Sequence, residues 1–535
     1  MSSVDNMLKR LEQLNDIGAS LSQERDITRL LERILLAAKT ITHADGGTLY
    51  RMQEDGQSLR FEILRTDSLQ IAMGGTSGSA ISFPDLPLRT DTGLPNDSLV
   101  AAYAAIHSQT VNIADVYRAD NFDFSGTHLF DARTGYRSQS FLTVPMKNYE
   151  GEVIGVLQLI NARTPGSLEV VPFSAADQSL AESLASQAAI ALSNRLLMTQ
   201  LETLFESFIS LINVAIEEKS EYTGGHCQRV PVLTMMLAEA VARTSEGPMA
   251  SFTMTERDRY ELKIAGLLHD CGKITTPVHV VDKASKLQTL FDRIDLVDTR
   301  FEVLKRDAEL NALRQQLALR PCVDAQAEAR LQAQAQLDRA ALESDRDFLR
   351  VTNRGGESMA DALLQRVHEI SRRHVWCNVE GVESEFLTPD ELENLTIRAG
   401  TLTQSERQTI NHHIVATIKM LEQLPWPKHL KHVPEYAGGH HERMDGKGYP
   451  KGLTRDQMSV QARIMGIADI FEALTAADRP YKLGMKLSQA LTIMQKFALS
   501  GHIDPDLFEI FVREGVYKQY AEQHVNPAQI DEINL

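Results

Sequence analysis

Between Leu192 and Glu221 the chain has neither proline nor glycine, and Leu197, Leu201, Leu204, Phe208, Leu211 and Ala215 recur at spacings of three and four. That spacing predicts one continuous helix with an apolar stripe, and a helix of this kind is expected between domains. With 535 residues the chain is too long for one ordinary core, and length suggests about three domains of roughly 100 to 200 residues each. The stripe fits pairing with its copy in a second chain, which lets the helix carry a rotation from one domain to the next. A homodimer is therefore expected, with a rigid spacer as the plainer alternative.

Composition narrows the class. Hydrophobic residues make up 43% and charged residues 24%, ordinary values for a globular protein. No apolar run approaches the ~18 residues that span a bilayer, and MSSVDNMLKRLEQL lacks the apolar core of a signal peptide. No membrane association and a cytoplasmic location are expected. Cys227, Cys271, Cys322 and Cys377 lie far apart with no C-x-x-C pair, which argues for reduced thiols over a disulfide framework or a zinc ribbon. The net charge of -17 opposes binding to nucleic acid, which rests on a basic surface. Any phosphate ligand must be held by local cations.

Residues 1–195 read as α+β. LLERILLAAKTITHADGGTLYRM runs from helical spacing through Ala44-Asp45-Gly46-Gly47 into a strand expected to begin at Thr48. In FLTVPMKNYEGEVIGVLQLINA, Phe141 to Met146 and Val153 to Ile160 read as the strands of a hairpin, with the turn at Asn148 to Gly151. Ser174 is a good N-cap for the helix that follows. ADGGTLY, the strand pair ending in GVLQLINA, and PFSAAD before the final helix resemble a GAF domain. The resemblance implies a small-molecule sensor, its ligand unknown, or a module that only dimerises.

A second stretch, 284–400, contains FDRIDLVDTRFEVLKRDAELNALRQQLALR and ARLQAQAQLDRAALESDRDFLR, followed by VTNRGGE as a break. Its Ala, Leu, Gln, Arg and Glu content favours helix. A helical hairpin projecting from a core domain is expected.

The C-terminal part holds separated pieces that each offer metal ligands or anion binders. YELKIAGLLHDCGK predicts a buried helix through Leu262, Ile264, Leu267 and Leu268, ending near Gly272, with His269 and Asp270 in its last turns and Lys273 beyond. Consecutive helical side chains diverge by ~100°, so one of the pair can bind one ion while the other bridges towards a second. His226 follows a glycine pair and is expected to start a helix. His412 and His413 lie on a helix whose capping signature is Leu402-Thr403 with Glu406. His440 and His441 open HHERMDGKGYP. In RIMGIADIFEALTAADRPYK, the core-facing residues Ile464, Ile467, Ile470, Phe471 and Leu474 are interrupted by Asp469. A buried lone aspartate is costly unless it meets a cation.

Together HDCGK, HHERMDGKGYP and ADIFEALTAADRPYK resemble the HD-GYP subgroup of the HD phosphohydrolase superfamily, over about 200–283 and 400–520. The resemblance implies His226, His269, Asp270, His413, His440, His441 and Asp469 as metal ligands, with Asp270 bridging two ions and His413 taken over His412 by the family's spacing from Leu402-Thr403. Some members hold a third metal through a glutamate four residues before the first histidine. Here that position is Tyr222, with Glu221 one residue off, so a dinuclear site is expected. Mixed histidine and carboxylate ligands suit iron, manganese or zinc over calcium or magnesium, and the resemblance points to iron or manganese.

Two such ions activate water at neutral pH and offset charge on a departing oxygen, which is hydrolase chemistry. Asp270 and Lys273 would be catalytic. Lys273, Arg479 and Lys482 would neutralise substrate phosphates, Tyr449 would line the pocket, and Glu442 and Asp445 would orient the histidines or the loop. The resemblance implies a metal-dependent phosphodiesterase that opens cyclic di-GMP to pGpG, and in some members on to GMP. The alternatives are a phosphodiesterase for cyclic GMP-AMP and a non-catalytic adaptor that binds the nucleotide or, through the GYP loop, a GGDEF-domain protein. The expected fold is multidomain: an α+β GAF domain at 1–195, a connecting helix at 196–221, and an all-α HD-GYP domain at 222–283 and 401–535 with a helical insertion at 284–400.

Overall fold

The computed structural model describes residues 3–24, 26–164, 166–318, 325–356, 358–377, 380–477 and 484–533. The chain forms two units, residues 1–205 and 206–535.

The first unit is built on an antiparallel sheet of β1 (Ala44–Met52), β2 (Ser58–Thr66), β3 (Ile71–Gly74), β4 (Leu86–Pro87), β5 (Val111–Ile113), β6 (Phe141–Lys147), β7 (Val153–Arg163) and β8 (Val170–Val171). The strand order is β3-β2-β1-β7-β6-β5, with β4 on β2 and β8 on β7. Side chains alternate across the pleat, so Leu49 and Leu157 face a core shared with Leu31 and Leu35 of helix Ile27–Thr42 and with Leu184 and Ala188 of the long C-terminal helix. Their neighbours Tyr50 and Val156 face a second core under helix Val100–His107.

β1 begins at Ala44, not at Thr48. Gly46 and Gly47 pair with Thr66 and Arg65 of β2 and do not form a turn. Gly47 lies under a helix, where a Cβ would come within 2.8 Å of Leu35 Cδ1, and a Cβ on Gly46 would meet Thr66 Oγ1 of β2 at 3.2 Å. The hairpin β6–β7 forms with Asn148 Oδ1 accepting from the amides of Glu150 and Glu152 in its turn. Ser174 and Asp177 cap the long helix Ala175–Lys219 reciprocally.

In the second unit the long helix ends at Lys219, and the next helix, Glu221–Arg243, starts before the glycine pair instead of at His226 and runs through Pro231. Packing overrides local propensity here. Gly266 of helix Glu256–Leu268 lets that helix approach Pro231, where a Cβ would sit 3.2 Å from the proline Cα. Helix Glu256–Leu268 stops at Leu268, earlier than expected, and His269 is its C-cap. The chain then tightens into a 3₁₀ turn, Cys271–Thr275. Helix Gln404–Glu422 is capped by Thr403 and Glu406, as the sequence indicated. Helix Val460–Thr475 buries Ile464, Ile467 and Phe471, while Ile470 and Leu474 are only half-buried.

The stretch 284–400 is more than a hairpin. Helices Ile294–Ala318 and Ala325–Asn353 pack on each other. They share a core with helix Asp361–Arg373 and the segment after it, through Phe301, Leu349, Val367, Ile370, Phe386 and Leu395. A two-stranded ribbon, Val375–Cys377 with Glu383–Glu385, lies within it. The entry and exit of this stretch are adjacent: Thr401 Oγ1 donates to Lys283 O at 2.9 Å, and the Lys283 ammonium lies 2.8 Å from Glu406 Oε2. Ends held together in this way make a long insertion inexpensive in closure entropy.

Candidate active site

Four helical segments and one loop of the second unit converge on a buried centre. His226 comes from helix Glu221–Arg243, His269 and Asp270 from the end of helix Glu256–Leu268, His413 from helix Gln404–Glu422, His440 and His441 from the segment after helix Val433–Gly438, and Asp469 from helix Val460–Thr475. His226, His269, Asp270, His413, His440 and Asp469 are buried, and His441 is half-buried. His412 points to solvent, so the structure brings His413 to the centre.

The histidines present Nε2 inward because Nδ1 is engaged elsewhere. His269 Nδ1 lies 2.7 Å from Gly266 O, His413 Nδ1 2.5 Å from Ile410 O, and His440 Nδ1 2.6 Å from Ala437 O. In each case the acceptor is the carbonyl three residues earlier. An imidazole that donates from Nδ1 keeps a lone pair at Nε2.

Asp270 sits in the middle. Its Oδ2 lies 3.3 Å from Nε2 of both His226 and His269 and 2.7 Å from Lys273 Nζ, and its Oδ1 lies 3.2 Å from His413 Nε2. Asp469 Oδ1 lies 3.0 Å from His226 Nε2 and 3.9 Å from His269 Nε2. His413 and His441 approach Nε2 to Nε2 at 3.2 Å, and Nε2 of His440, although buried, has no hydrogen-bond partner among the described residues. Three overlapping groups emerge: His226, His269 and Asp270; His269, His440 and Asp469; and His413, His440 and His441, with the donor atoms of each group within 4.8 Å of one another. Lone pairs this close repel unless a proton or a metal cation lies among them. The donor set fits transition-metal binding.

The electrostatics agree. Burial opposes ionisation of Asp270, yet Lys273 and the neighbouring histidines hold its carboxyl well below the usual range. Asp469 is lowered too, by His226, His440 and His441 against the same cost of burial. Burial and His269 push His440 down to about 4, and burial with His440 lowers His441. Neutral imidazoles and ionised carboxylates are the forms that bind metal. His226 is the exception: burial opposes its charge, but Glu472, Asp270 and Asp469 raise it well above its ordinary value, so it must release a proton to bind.

Lys273 is close to Asp270, and Tyr449 stacks on His441. Gly448 beside it has no room for a side chain, since a Cβ would lie 2.4 Å from Arg443 N. Glu442 accepts from the amides of Lys451 and Leu453, and Asp445 from that of Lys447, so these carboxylates shape the loop. Arg479 and Lys482 lie outside the described residues, as do the side chains of Glu221 and Tyr222.

Sequence reasoning missed Glu472 and Arg229. Glu472 Oε2 lies 2.5 Å from His226 Nδ1, and Arg229 Nε donates to Glu472 Oε1 at 2.7 Å. The available signal was a second carboxylate one turn beyond Asp469 on a largely apolar helix.

Fold and site define a sheet domain joined to a mostly helical domain with a histidine- and aspartate-lined centre. Residues 26–192 match the model of the GAF domain, and residues 223–332 and 385–507 match models of HD domains. The stretch HHERMDGKGYP, 440–450, lies within the second of the two HD matches. Among curated proteins, the chain is similar to 3'3'-cGAMP-specific phosphodiesterase 1 of Vibrio cholerae, at 35% identity over 160 residues, covering 30% of this chain and 32% of that one. It is similar to 3'3'-cGAMP-specific phosphodiesterase 3 of Vibrio cholerae at 39% over 111 residues, 21% of this chain and 23% of that one. It is also similar to a cyclic di-GMP phosphodiesterase of Pseudomonas aeruginosa at 36% over 134 residues, 25% and 30% of the two chains. The matched regions thus span less than a third of these relatives.

Proposed function

We propose that the chain is a metal-dependent phosphodiesterase that opens cyclic di-GMP to linear pGpG under the influence of its GAF domain. The observation that carries this reading is the set of three donor groups linked through His269 and His440, with Asp270 reaching His226, His269 and His413, next to Lys273 and the GYP loop. His226, His269 and Asp469 would hold one ion, His413, His440 and His441 the other, and Asp270 would bridge. Bound there, two divalent ions supply activated water and offset charge on the departing oxygen; iron or manganese suits the mixed donor set.

The remaining work falls to the chain's own residues. The ammonium of Lys273 holds the Asp270 carboxylate in place and offers a cation to a substrate phosphate. Tyr449 presents a ring at the pocket edge for a base to stack on. Arg479 and Lys482 are proposed to neutralise further phosphate charge, which the net charge of -17 would otherwise repel.

The proposal extends to assembly and location. Leu197, Leu201, Leu204, Phe208 and Leu211 on helix Ala175–Lys219 are all exposed, which supports pairing of this helix with a second copy. Among the described residues no helix is long and apolar enough to cross a membrane. Cys227, Cys271 and Cys377 are free, which supports a reducing cytoplasm. The first unit encloses a cavity of about 440 Å³ lined by rings such as Tyr50, Phe61, Phe124 and Phe141, which suits a small, largely apolar sensor ligand.

The names of the two Vibrio cholerae relatives favour a second reading, a phosphodiesterase for cyclic GMP-AMP. Anaerobic incubation of the protein loaded with Fe(II) or Mn(II) with each dinucleotide, followed by product chromatography, separates them. Formation of pGpG supports the first reading, with little GMP expected from a dinuclear site. Turnover of cyclic GMP-AMP alone supports the second. No turnover with metal bound would overturn both and favour the adaptor that binds a nucleotide or a GGDEF-domain protein.

A further inference from the structure

His226 is held differently from the other inward-facing histidines. His269, His413 and His440 each set Nδ1 against a carbonyl of their own chain segment. His226 instead sets Nδ1 against a carboxylate from another helix, Glu472 Oε2 at 2.5 Å. Glu472 is 1% exposed, and its other oxygen, Oε1, lies 2.7 Å from Arg229 Nε and 2.6 Å from Arg229 Nη2. Helix Glu221–Arg243 contributes His226 and, three residues on, Arg229; helix Val460–Thr475 contributes Asp469 and, three residues on, Glu472. Residues three apart share a helix face, so each helix carries one inner and one outer residue, and the outer two form a chain in which Glu472 holds His226 and Arg229 holds Glu472.

Resting on the dinuclear reading above, we propose that Glu472 is a positioning residue for the ion held by His226, His269, Asp270 and Asp469, and that Arg229 keeps Glu472 in register. A carboxylate at Nδ1 fixes the tautomer that leaves Nε2 free and strengthens the imidazole as a donor, and such outer partners are worth roughly 10- to 100-fold in metal affinity. A backbone carbonyl fixes the tautomer without a full negative charge. The two ion positions therefore differ: the one at His226 has a buried anion behind a ligand, and the one at His413 and His440 has backbone carbonyls behind those ligands. The first should fill at lower metal concentration.

The test uses Mn(II) binding to the full chain, followed by the electron paramagnetic resonance of free Mn(II), for wild type, Glu472→Gln, Glu472→Asp and Arg229→Gln. Wild type should bind in two steps. Glu472→Gln, which keeps an acceptor of the same shape but removes the charge, should weaken the tighter step roughly 10- to 100-fold and leave the other within about threefold. Arg229→Gln should weaken the same step by less, and Glu472→Asp should restore part of the loss. Thermal unfolding of the metal-free variants controls for a purely structural role. Wild-type affinities in Glu472→Gln would overturn the inference, as would equal weakening of both steps together with a lower melting temperature. Failure of wild type to bind Mn(II) would sink the dinuclear reading itself, a result distinct from either.

Discussion

The rings of Tyr449 and His441 stack, with centroids 4.9 Å apart and planes inclined by 22°. The loop thus touches the centre through an aromatic face, and Tyr449 is only half-buried. Tyr449→Phe keeps the stack and should leave metal content and KM near wild type. Tyr449→Ala removes a contact worth about 0.5–1.5 kcal/mol and should raise the KM for a cyclic dinucleotide roughly 2- to 10-fold with metal retained. Steady-state kinetics beside metal analysis would check this, and equal KM values for all three proteins would refute it.

Gly272 lies where the turn after Asp270 meets the helix carrying His413. A Cβ there would fall 2.0 Å from His413 O and 2.6 Å from Thr417 N, both backbone atoms, so a rotamer change cannot relieve it. Gly272 N also donates to Thr417 Oγ1 at 2.9 Å. Gly272→Ala should push the helix away from Asp270, lower stability by about 1–3 kcal/mol and reduce bound metal. Denaturant unfolding with metal analysis would show both losses; unchanged metal content would contradict the prediction.

The metal-free protein should be acid-sensitive above the carboxylate range. Unfolded histidine titrates near 6.5, whereas burial and His269 push His440 down to about 4, and His441 is also lowered. Between those values the unfolded chain binds more protons than the fold, so stability rises with pH. This contribution is present above about 6.5 and is lost as pH falls towards about 4. His226 acts in the opposite sense: burial opposes its charge, but Glu472, Asp270 and Asp469 raise its pKa well above the ordinary value, so its contribution is present at low pH and lost as pH rises through that raised value. Unfolding in chelator at pH 7.5, 6.5, 5.5 and 4.5 should show falling stability, and a smaller slope in His440→Ala. An unchanged slope in that variant would refute the assignment.

Lys219, the last residue of the long helix, donates to the carbonyls of Lys273 and Ile274. Ser220 follows it with a hydrogen bond to Asp282 Oδ1 at 2.7 Å. The helix end is therefore fastened to the turn that carries Lys273. Lys219→Ala should weaken that turn by about 1–2 kcal/mol, a roughly 5- to 30-fold change in local opening. Hydrogen exchange of residues 271–275 should quicken while global unfolding changes little. Unaltered exchange would show that the contact contributes nothing.

Much of the site was legible because its chemistry is local. HHERMDGKGYP, HDCGK and the lone Asp469 each announce a ligand within a few residues, and the cap at Thr403 with Glu406 is a short-range pattern that formed as read. The choice between His412 and His413 depended on which side of one helix meets Asp270, a matter of packing. Glycines were the least legible. Gly46 and Gly47 look like a turn and are strand, and Gly224 and Gly225 look like a helix start and lie inside one. In the strand the cause is the close approach of helix Ile27–Thr42, which local preference cannot report. The insertion looked like a bare hairpin because its core joins Phe301 to Phe386, residues far apart in the chain.

By itself the sequence determined which residues are candidates for the chemistry, because ligand types, capping patterns and apolar periodicity act over a few residues. Only the tertiary structure decided that His226, Asp270, His413 and Asp469 share one buried centre, that Glu472 stands behind His226, and that Lys219 reaches the turn after Asp270. Those relations join residues tens to hundreds of positions apart. They depend on the distances at which packed helices come to rest, and no periodicity in the chain encodes a distance of that kind.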